Sequence, residues 1–154
     1  MTRATADQIG ELPLFAGLSR EELERMAGLA TVESHPAGST LFVEGDPPGD
    51  FYILLDGRVT LCMRLPGQAD TCFLSLRSGE LLGWSALLKR HRVATARVVH
   101  PSTVLRLTAS DILELCETDH HVGYAIMRQA FEEMAERLHT TRVQLLDMFG
   151  GAKS

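Results

Sequence analysis

The chain has 154 residues, 45% hydrophobic and 23% charged, which is the composition of one ordinary globular domain. Fifteen basic residues against twenty acidic ones leave a net charge of −5, which disfavours non-specific nucleic-acid binding because that binding depends on cationic neutralisation of phosphates. No apolar run reaches the length of a membrane span, and the N-terminus lacks the apolar segment of a signal peptide. We therefore expect a cytoplasmic protein that does not contact a membrane.

The chain divides into three regions, and the first is helical. Ser19 and Glu22 form a capping box, which predicts that a helix begins there. Four apolar residues then share one helix face: Leu23, Met26, Ala27 and Ala30. Turn residues after His35 predict that this helix ends near Thr31.

The middle region, residues 38–107, consists of short apolar segments separated by Gly-containing turns. The pattern predicts strands over residues 41–43, 51–55, 58–64, 71–76, 93–99 and 103–107. A series of short strands of this kind favours an antiparallel roll or barrel. The predicted fold is therefore mainly β with flanking α-helices: a jelly-roll-like antiparallel β-roll with an N-terminal helix and a long C-terminal helix.

Three cysteines, Cys62, Cys72 and Cys116, lack the C-x-x-C spacing of zinc and iron–sulfur sites. Cys62 and Cys72 flank a Pro66-Gly67 turn, so a hairpin would place them opposite each other. Both a redox pair and two free thiols fit this arrangement. We favour two reduced, half-buried thiols because disulfides are rare in the cytosol.

The third region is helical again. Thr108 and Asp111 form a second capping box, and a long helix is predicted to follow Asp119 and to reach about Phe149. Seven residues along it are spaced four and three apart in an unbroken heptad seam: Met127, Phe131, Met134, Leu138, Thr141, Leu145 and Met148. Such a seam is typical of a helix that pairs with a second copy of itself, so we expect a homodimer. Packing of the seam onto the chain's own barrel is the alternative.

The predicted organisation is a β-roll with flanking helices over residues 1–118, a dimerisation helix over 119–149 and a disordered tail over 150–154.

Residues 78–96 carry the chemistry of the chain. Gly83 precedes a helix-compatible run over residues 85–88, and a helical turn that begins after a glycine presents backbone N–H groups to an anion. Arg92 begins the next alternating strand, and its guanidinium can donate two parallel hydrogen bonds to phosphate oxygens. The spacing of Gly83 and Arg92 predicts a phosphate site, although taken alone it is a motif of low specificity.

Other candidate features have simpler interpretations. Within the basic run over residues 89–92, Arg92 alone has the favoured register, and its neighbours are interpreted as a solvated loop. The adjacent His120 and His121 are interpreted as a surface feature at a helix start rather than a metal site. The sequence has neither the metal-binding pattern of a cupin nor a nucleophile–base–orienter arrangement, so we do not expect an enzyme.

The arrangement as a whole resembles the cyclic nucleotide-binding domain of cAMP receptor proteins and of kinase regulatory subunits. The resemblance extends from about Leu12 to Met148 and is carried by residues 12–19, 38–46 and 51–59 and by five positions of a phosphate-binding cassette: Gly79, Gly83, Arg92, Ala94 and Thr95. It implies a β-roll that holds a cyclic phosphate between a short cassette helix and the arginine. The candidate ligands are cAMP and cGMP, and no further cofactor is implied.

Carried over residue by residue, the resemblance implies that Gly83, Ser85 and Ala86 offer backbone N–H groups and that Arg92 pairs with the phosphate. Residues 134–141 resemble the dimer helix of the cAMP receptor protein family, which implies that the hydroxyl of Thr141 lies against the purine.

The sequence departs from the family pattern at two cassette positions. Trp84 stands where the family usually carries an acidic residue that binds the ribose 2′-hydroxyl. Val93 follows the arginine where Ser or Thr is frequent, so it offers only its backbone. The Gly-Trp-Ser pattern is similar to that of a divergent branch of the family.

Transcription factors of this family carry a helix-turn-helix domain after the dimer helix, whereas this sequence ends six residues after Met148. Together with the acidic balance, this predicts no direct DNA binding. We expect a stand-alone sensor that binds a nucleotide and signals through its dimer helix to an unidentified partner protein. The alternatives are a degenerate dimerisation or scaffold module in which Trp84 fills the pocket, and a sensor for a different anion or nucleotide.

Overall fold

The structure is a computed structural model that describes residues 1–151. It begins with a short strand and two helices: β1 (Thr2–Arg3), α1 (Ala6–Gly10) and α2 (Arg20–Ala27). Ser19 and Glu22 form the predicted capping box on α2 through reciprocal hydrogen bonds between side chain and backbone.

The strands of residues 1–151 form one seven-stranded antiparallel sheet that does not close into a barrel. After β1 come β2 (Ala30–His35), β3 (Thr40–Phe42), β4 (Asp50–Arg64), β5 (Asp70–Leu76), β6 (Leu81–Leu82) and β7 (Thr95–Thr108). The main order is β1-β2-β7-β4-β5, with β3 paired to β7 and β6 paired to β4. The predicted fold class, an antiparallel β-roll with flanking helices, is confirmed.

The prediction that the first helix reaches Thr31 is wrong. Helix α2 ends at Ala27, and Ala30 begins β2, which pairs with β7 from Ala30 opposite Leu107 to His35 opposite Ser102. The apolar spacing of Ala30 fits both a helix and a strand, and the ladder to β7 decides between them because local propensity is the weaker effect.

Two pairs of predicted strands are continuous in the structure. Residues 51–55 and 58–64 both belong to β4, and 103–107 joins most of 93–99 in β7, which begins at Thr95. The bend of β4 lies at Gly57, whose φ is +107°. A Cβ there would lie 2.3 Å from the Ser102 Oγ, so a glycine is required.

The expectation that Cys62 and Cys72 are free thiols is wrong, because the structure joins them in a disulfide. The two residues are direct partners across the β4–β5 hairpin, next to a register irregularity between Leu61 and Cys62. The register of the hairpin brings the two Cβ atoms together, whereas the expectation of free thiols rested on cellular compartment alone.

The C-terminal region holds two helices, α3 (Ala109–Thr118) and α4 (His120–Gly151). The capping box predicted for Thr108 is wrong: Thr108 is the N-cap residue of α3, but its side chain makes no capping hydrogen bond. It is also the last residue of β7, where it pairs with Asp50.

Helix α4 includes Gly150 and Gly151 of the predicted tail, and residues 152–154 lie outside the described residues. Across the part of the chain that is described, no helix combines the length and the apolar composition of a membrane span.

Apolar side chains form two cores on opposite sides of the sheet. The helix-side core joins the helices to the sheet and includes Phe15, Met26, Phe51, Ile112 and Ile126. The roll-side core fills the interior of the roll and includes Phe42, Tyr52, Leu54, Leu82 and Val104. The segment after β6 carries the cassette and packs against the helix-side core through Trp84, Ala86 and Leu87.

Candidate functional site

The cassette begins at Gly83, which has a left-handed backbone with φ +82° and precedes a short 3-10 helix, Trp84–Leu88, here called the cassette helix. A Cβ at Gly83 would lie 2.8 Å from the Arg92 Nη1 and 3.3 Å from the Phe42 ring. Glycine is therefore required both by the turn and by the close approach of the arginine.

Arg92 is 6% exposed, and its guanidinium lies beside the roll-side core. The Nη1 group donates to the Gly83 carbonyl at 3.1 Å, and Nη2 donates to the Asp50 carbonyl. The guanidinium carbon lies 4.4 Å from the centroid of the Phe42 ring, which in turn stacks on Tyr52. The predicted proximity of Arg92 to the start of the cassette helix is present in the structure.

The charge of Arg92 has neutral partners. Its hydrogen bonds go to two backbone carbonyls, and none of the salt bridges among residues 1–151 includes it. Burial lowers the pKa of Arg92, although the neighbouring Tyr52, Asp50 and Asp46 oppose that shift. A buried cation without a counter-ion is an environment that favours an anion.

The other predicted cassette residues differ in burial and in hydrogen bonding. Ser85 and Ala86 are almost fully buried, and the Ala86 N–H donates to the Gly83 carbonyl at 3.1 Å, so this amide is already engaged. Val93 is exposed.

Trp84 is partly buried and packs against the helix-side core. The indole therefore contacts the core on the helix side of the sheet, and the idea that Trp84 fills a ligand pocket stays a prediction.

Thr141 is not joined to the cassette by any hydrogen bond among the described residues. It is exposed on α4, and its hydroxyl donates to the Arg137 carbonyl at 2.8 Å within the same helix. Contact with a ligand at the cassette therefore stays a prediction for this residue.

A charged network fixes the strand residue that contacts Arg92. The Asp50 carboxylate accepts from Arg106, which also donates to Glu33 at 3.1 Å, and Glu33 lies 3.1 Å from the His35 ring. The two carboxylates raise the pKa of Arg106. Sequence reasoning missed these residues because only the pairing of β2, β7 and β4 brings them together.

Two cavities lie beside the cassette. One, of about 690 Å³, opens at the β4–β5 hairpin and is lined by Glu44, Arg64, Asp70 and Arg97 together with the cassette residue Thr95. The other, of about 560 Å³, lies between α4 and the segment before β6. Neither of these two cavities is lined by residues 83–92.

The histidine pair has a structural contact. The His121 Nδ1 lies 2.7 Å from the Glu22 carboxylate, and this contact joins α4 to α2. Within residues 1–151, no group of three or more His, Cys, Asp or Glu side chains is arranged to hold a metal ion.

Comparison with known proteins agrees with this geometry. The family model described as "Cyclic nucleotide-binding domain" matches residues 32–119, which is more than half of the chain. The chain is 32% identical over 104 residues to the cyclic AMP receptor protein of Thermus thermophilus, covering 67% of this chain and 48% of the receptor. It is 27% identical over 131 residues to glutaminase 1 of Bradyrhizobium diazoefficiens, covering 85% of this chain and 21% of that protein.

The fold is similar as well. The crystal structure of the Thermus thermophilus catabolite activator protein superposes with a TM-score of 0.70 at 28% identity, covering 90% of this chain and 63% of that one. The chain thus spans between about a fifth and a half of the length of the two curated relatives above. The match to the family model and the shared fold together support a nucleotide-binding regulatory domain, and the chain belongs to the cyclic nucleotide-binding domain family.

Proposed function

We propose that this chain is a sensor domain that binds a cyclic nucleotide, cAMP or cGMP, or a related phosphate ligand at the cassette. The observation that carries the proposal is the buried Arg92 guanidinium beside Gly83, a cation whose hydrogen-bond partners are neutral carbonyls. An anionic phosphate supplies the missing counter-charge, and a guanidinium binds it through two parallel hydrogen bonds.

The cassette also determines how tightly such a ligand binds. Arg92 must exchange its hydrogen bonds to the carbonyls of Gly83 and Asp50 for bonds to the phosphate. Trp84 provides no acceptor for a ribose hydroxyl, and loss of one buried polar contact weakens binding by about tenfold to a hundredfold. The proposal is therefore a site that recognises phosphate strongly and ribose weakly.

Signalling is proposed to pass through α4 in a homodimer. Five of the six apolar residues of the heptad seam are exposed on the single chain, with Phe131 at 75% and Met148 at 76%, which supports a second copy of α4 as their cover. Ligand binding would shift the population between two arrangements of the paired helices, and a partner protein in the cytoplasm would respond to that difference.

One observation favours a second candidate function, a dimerisation or scaffold module that binds no nucleotide. Both hydrogen bonds of Arg92 and the Ala86 N–H are already satisfied inside the protein. In that case Arg92 stabilises the turn at Gly83 rather than a ligand.

Isothermal titration calorimetry with cAMP and with cGMP separates the two candidates. We expect the wild type to bind, Arg92→Ala to lose about tenfold to a hundredfold in affinity, and Arg92→Lys to lose nearly as much because an ammonium cannot donate the parallel pair. Arg90→Ala is the matched control, since Arg90 is exposed.

Two results would contradict the sensor proposal. A wild type that binds neither nucleotide favours the scaffold module. Equal losses of affinity in the Arg92 and Arg90 variants would mean that the basic run attracts the ligand only through its overall positive charge. That result would overturn the cassette assignment.

A further inference from the structure

Strand β6 has one neighbouring strand and one neighbouring helix. On one side Leu81 and Leu82 pair with Ile53 and Tyr52 of β4. On the other side the Leu81 N–H donates to the Glu133 Oε2 at 2.7 Å, and the Leu81 carbonyl accepts from the Arg137 Nη2. Two side chains of α4 thus satisfy the backbone groups that an additional strand would otherwise pair.

Glu133 and Arg137 also form an ion pair with each other. The Arg137 Nη2 lies 3.0 Å from the Glu133 Oε2 and 3.7 Å from the Glu80 carboxylate. Both side chains are largely buried, at 14% exposure for Arg137 and 17% for Glu133. Burial raises the pKa of Glu133 and lowers the pKa of Arg137, and the opposite charge of the other side chain counteracts each shift.

The position of these contacts connects two parts of the molecule. Leu81 lies two residues before Gly83, where the cassette helix begins. On α4, the deeply buried residues end with Ile126, and beyond Arg137 the described residues form no further hydrogen bond from α4 to the sheet. Glu133 and Arg137 are thus the α4 side chains that hydrogen-bond to the strand immediately before the cassette.

We propose that Glu133, Arg137 and the Leu81 backbone form a clasp that positions the cassette against α4 and transmits cassette movement to the exposed half of that helix. Glu133 and Arg137 are positioning residues, because they act on the cassette through Leu81. The role of the clasp in signalling rests on the proposed function, because that function supplies the ligand. Its contacts can be tested in the ligand-free protein.

Amide hydrogen exchange measured by NMR on the ligand-free chain provides the first test. In Glu133→Ala we expect exchange at the Leu81 amide to accelerate by about tenfold to a hundredfold, with a smaller acceleration across the cassette helix. Glu132→Ala is the matched control, since its side chain is exposed on the adjacent position of α4. The Ile53 amide in β4 reports whether the sheet is intact.

The single substitution leaves the charge of Arg137 buried and unpaired, which can unfold the chain. A second variant keeps the test decisive in that case. In Glu133→Leu/Arg137→Leu, apolar groups replace the pair, which preserves burial while removing both hydrogen bonds to Leu81. We expect a folded chain with rapid exchange at Leu81 and in the cassette helix. Wild-type exchange rates at those amides in this variant would overturn the clasp.

Titration with cAMP then tests transmission. In the wild type we expect bound cAMP to change exchange along residues 138–149, and in the double variant we expect a bound cassette without that change. Equal changes in the two proteins would overturn the clasp as the route of transmission. A wild type that does not bind cAMP would contradict the proposed function, whereas the exchange difference between the ligand-free proteins would still stand.

Discussion

The Arg92 guanidinium donates a hydrogen bond to the carbonyl of Gly83, 3.1 Å away, across the turn that starts the cassette helix. The residue proposed to bind a ligand therefore also stabilises the ligand-free site. A phosphate that enters must compete with this carbonyl and with that of Asp50. The first prediction separates the two roles.

Arg92→Ala should destabilise the ligand-free chain. Two backbone carbonyls lose their donors and the Phe42 ring loses its cation, so we expect the free energy of unfolding to fall by about 2–3 kcal/mol. Urea denaturation measures this value. Arg90→Ala should stay within about 0.5 kcal/mol of wild type because its side chain is solvated. Equal stability of the Arg92 variant and the wild type would show that the carbonyl contacts contribute nothing to the fold.

Leu138→Glu should convert a dimer into a monomer. Leu138 is 51% exposed on the single chain, so a carboxylate there costs the fold little but is buried in a paired seam. Light scattering at micromolar concentration measures the mass. His139→Glu adds the same charge at an exposed position outside the seam and should remain dimeric. A monomeric wild type would contradict the prediction.

Cys72→Ser should lower stability, since the bridge to Cys62 closes a loop with a sequence separation of 10. Loop-closure entropy predicts a loss of about 2–3 kcal/mol in unfolding free energy, read by urea denaturation without reductant. Cys116→Ser is the control because Cys116 is free. Alkylation of the unreduced, denatured chain followed by mass spectrometry should label Cys116 alone, and three labels would contradict the disulfide.

The His121–Glu22 contact should make stability depend on pH. The hydrogen bond to Glu22 raises the pKa of His121 above its ordinary 6.5. The protonated imidazole therefore contributes fully to the free energy of unfolding below pH 6.5, and this contribution is lost as the pH rises through the raised pKa. The pKa of Glu22 is lowered below its ordinary 4.5, chiefly by the backbone hydrogen bond from Ser19 and next by His121, so its contribution is lost as the pH falls.

The stabilisation is therefore largest between about pH 4.5 and 6.5. The difference in unfolding free energy between the wild type and His121→Gln should be larger at about pH 5.5 than at about pH 8.5. Substitution of the exposed His139 by Gln is the control. A difference that does not change with pH would mean that the contact does not involve the protonated imidazole.

Much of the fold could be predicted because its signals are local. The capping box of Ser19 and Glu22 and the heptad spacing along α4 depend on residues within one or two helical turns of each other. Strand β2 was missed because Ala30 fits a helical face equally well, and only its pairing with Leu107 settles the matter.

One contact of the candidate site could be predicted. Gly83 and Arg92 lie nine positions apart and are hydrogen-bonded in the structure, whereas phosphate binding there stays a prediction. The partners that complete the surroundings come from distant segments: Asp50 lies 42 residues from Arg92, and Glu133 lies 52 residues from Leu81. The i, i+4 spacing of Glu133 and Arg137 was the one local signal of the clasp, but it does not reveal what the pair contacts.

Helix α4 extends well beyond Arg137, its last described residue with a hydrogen bond to the sheet. From Arg137 to Gly151 the helix axis extends about 21 Å at the usual rise per residue, so a tilt of about 10° at Arg137 moves the far end by about 4 Å. Under the proposed transmission through the clasp, a tilt of this size at Arg137 would shift the tip of the helix by about the width of a side chain.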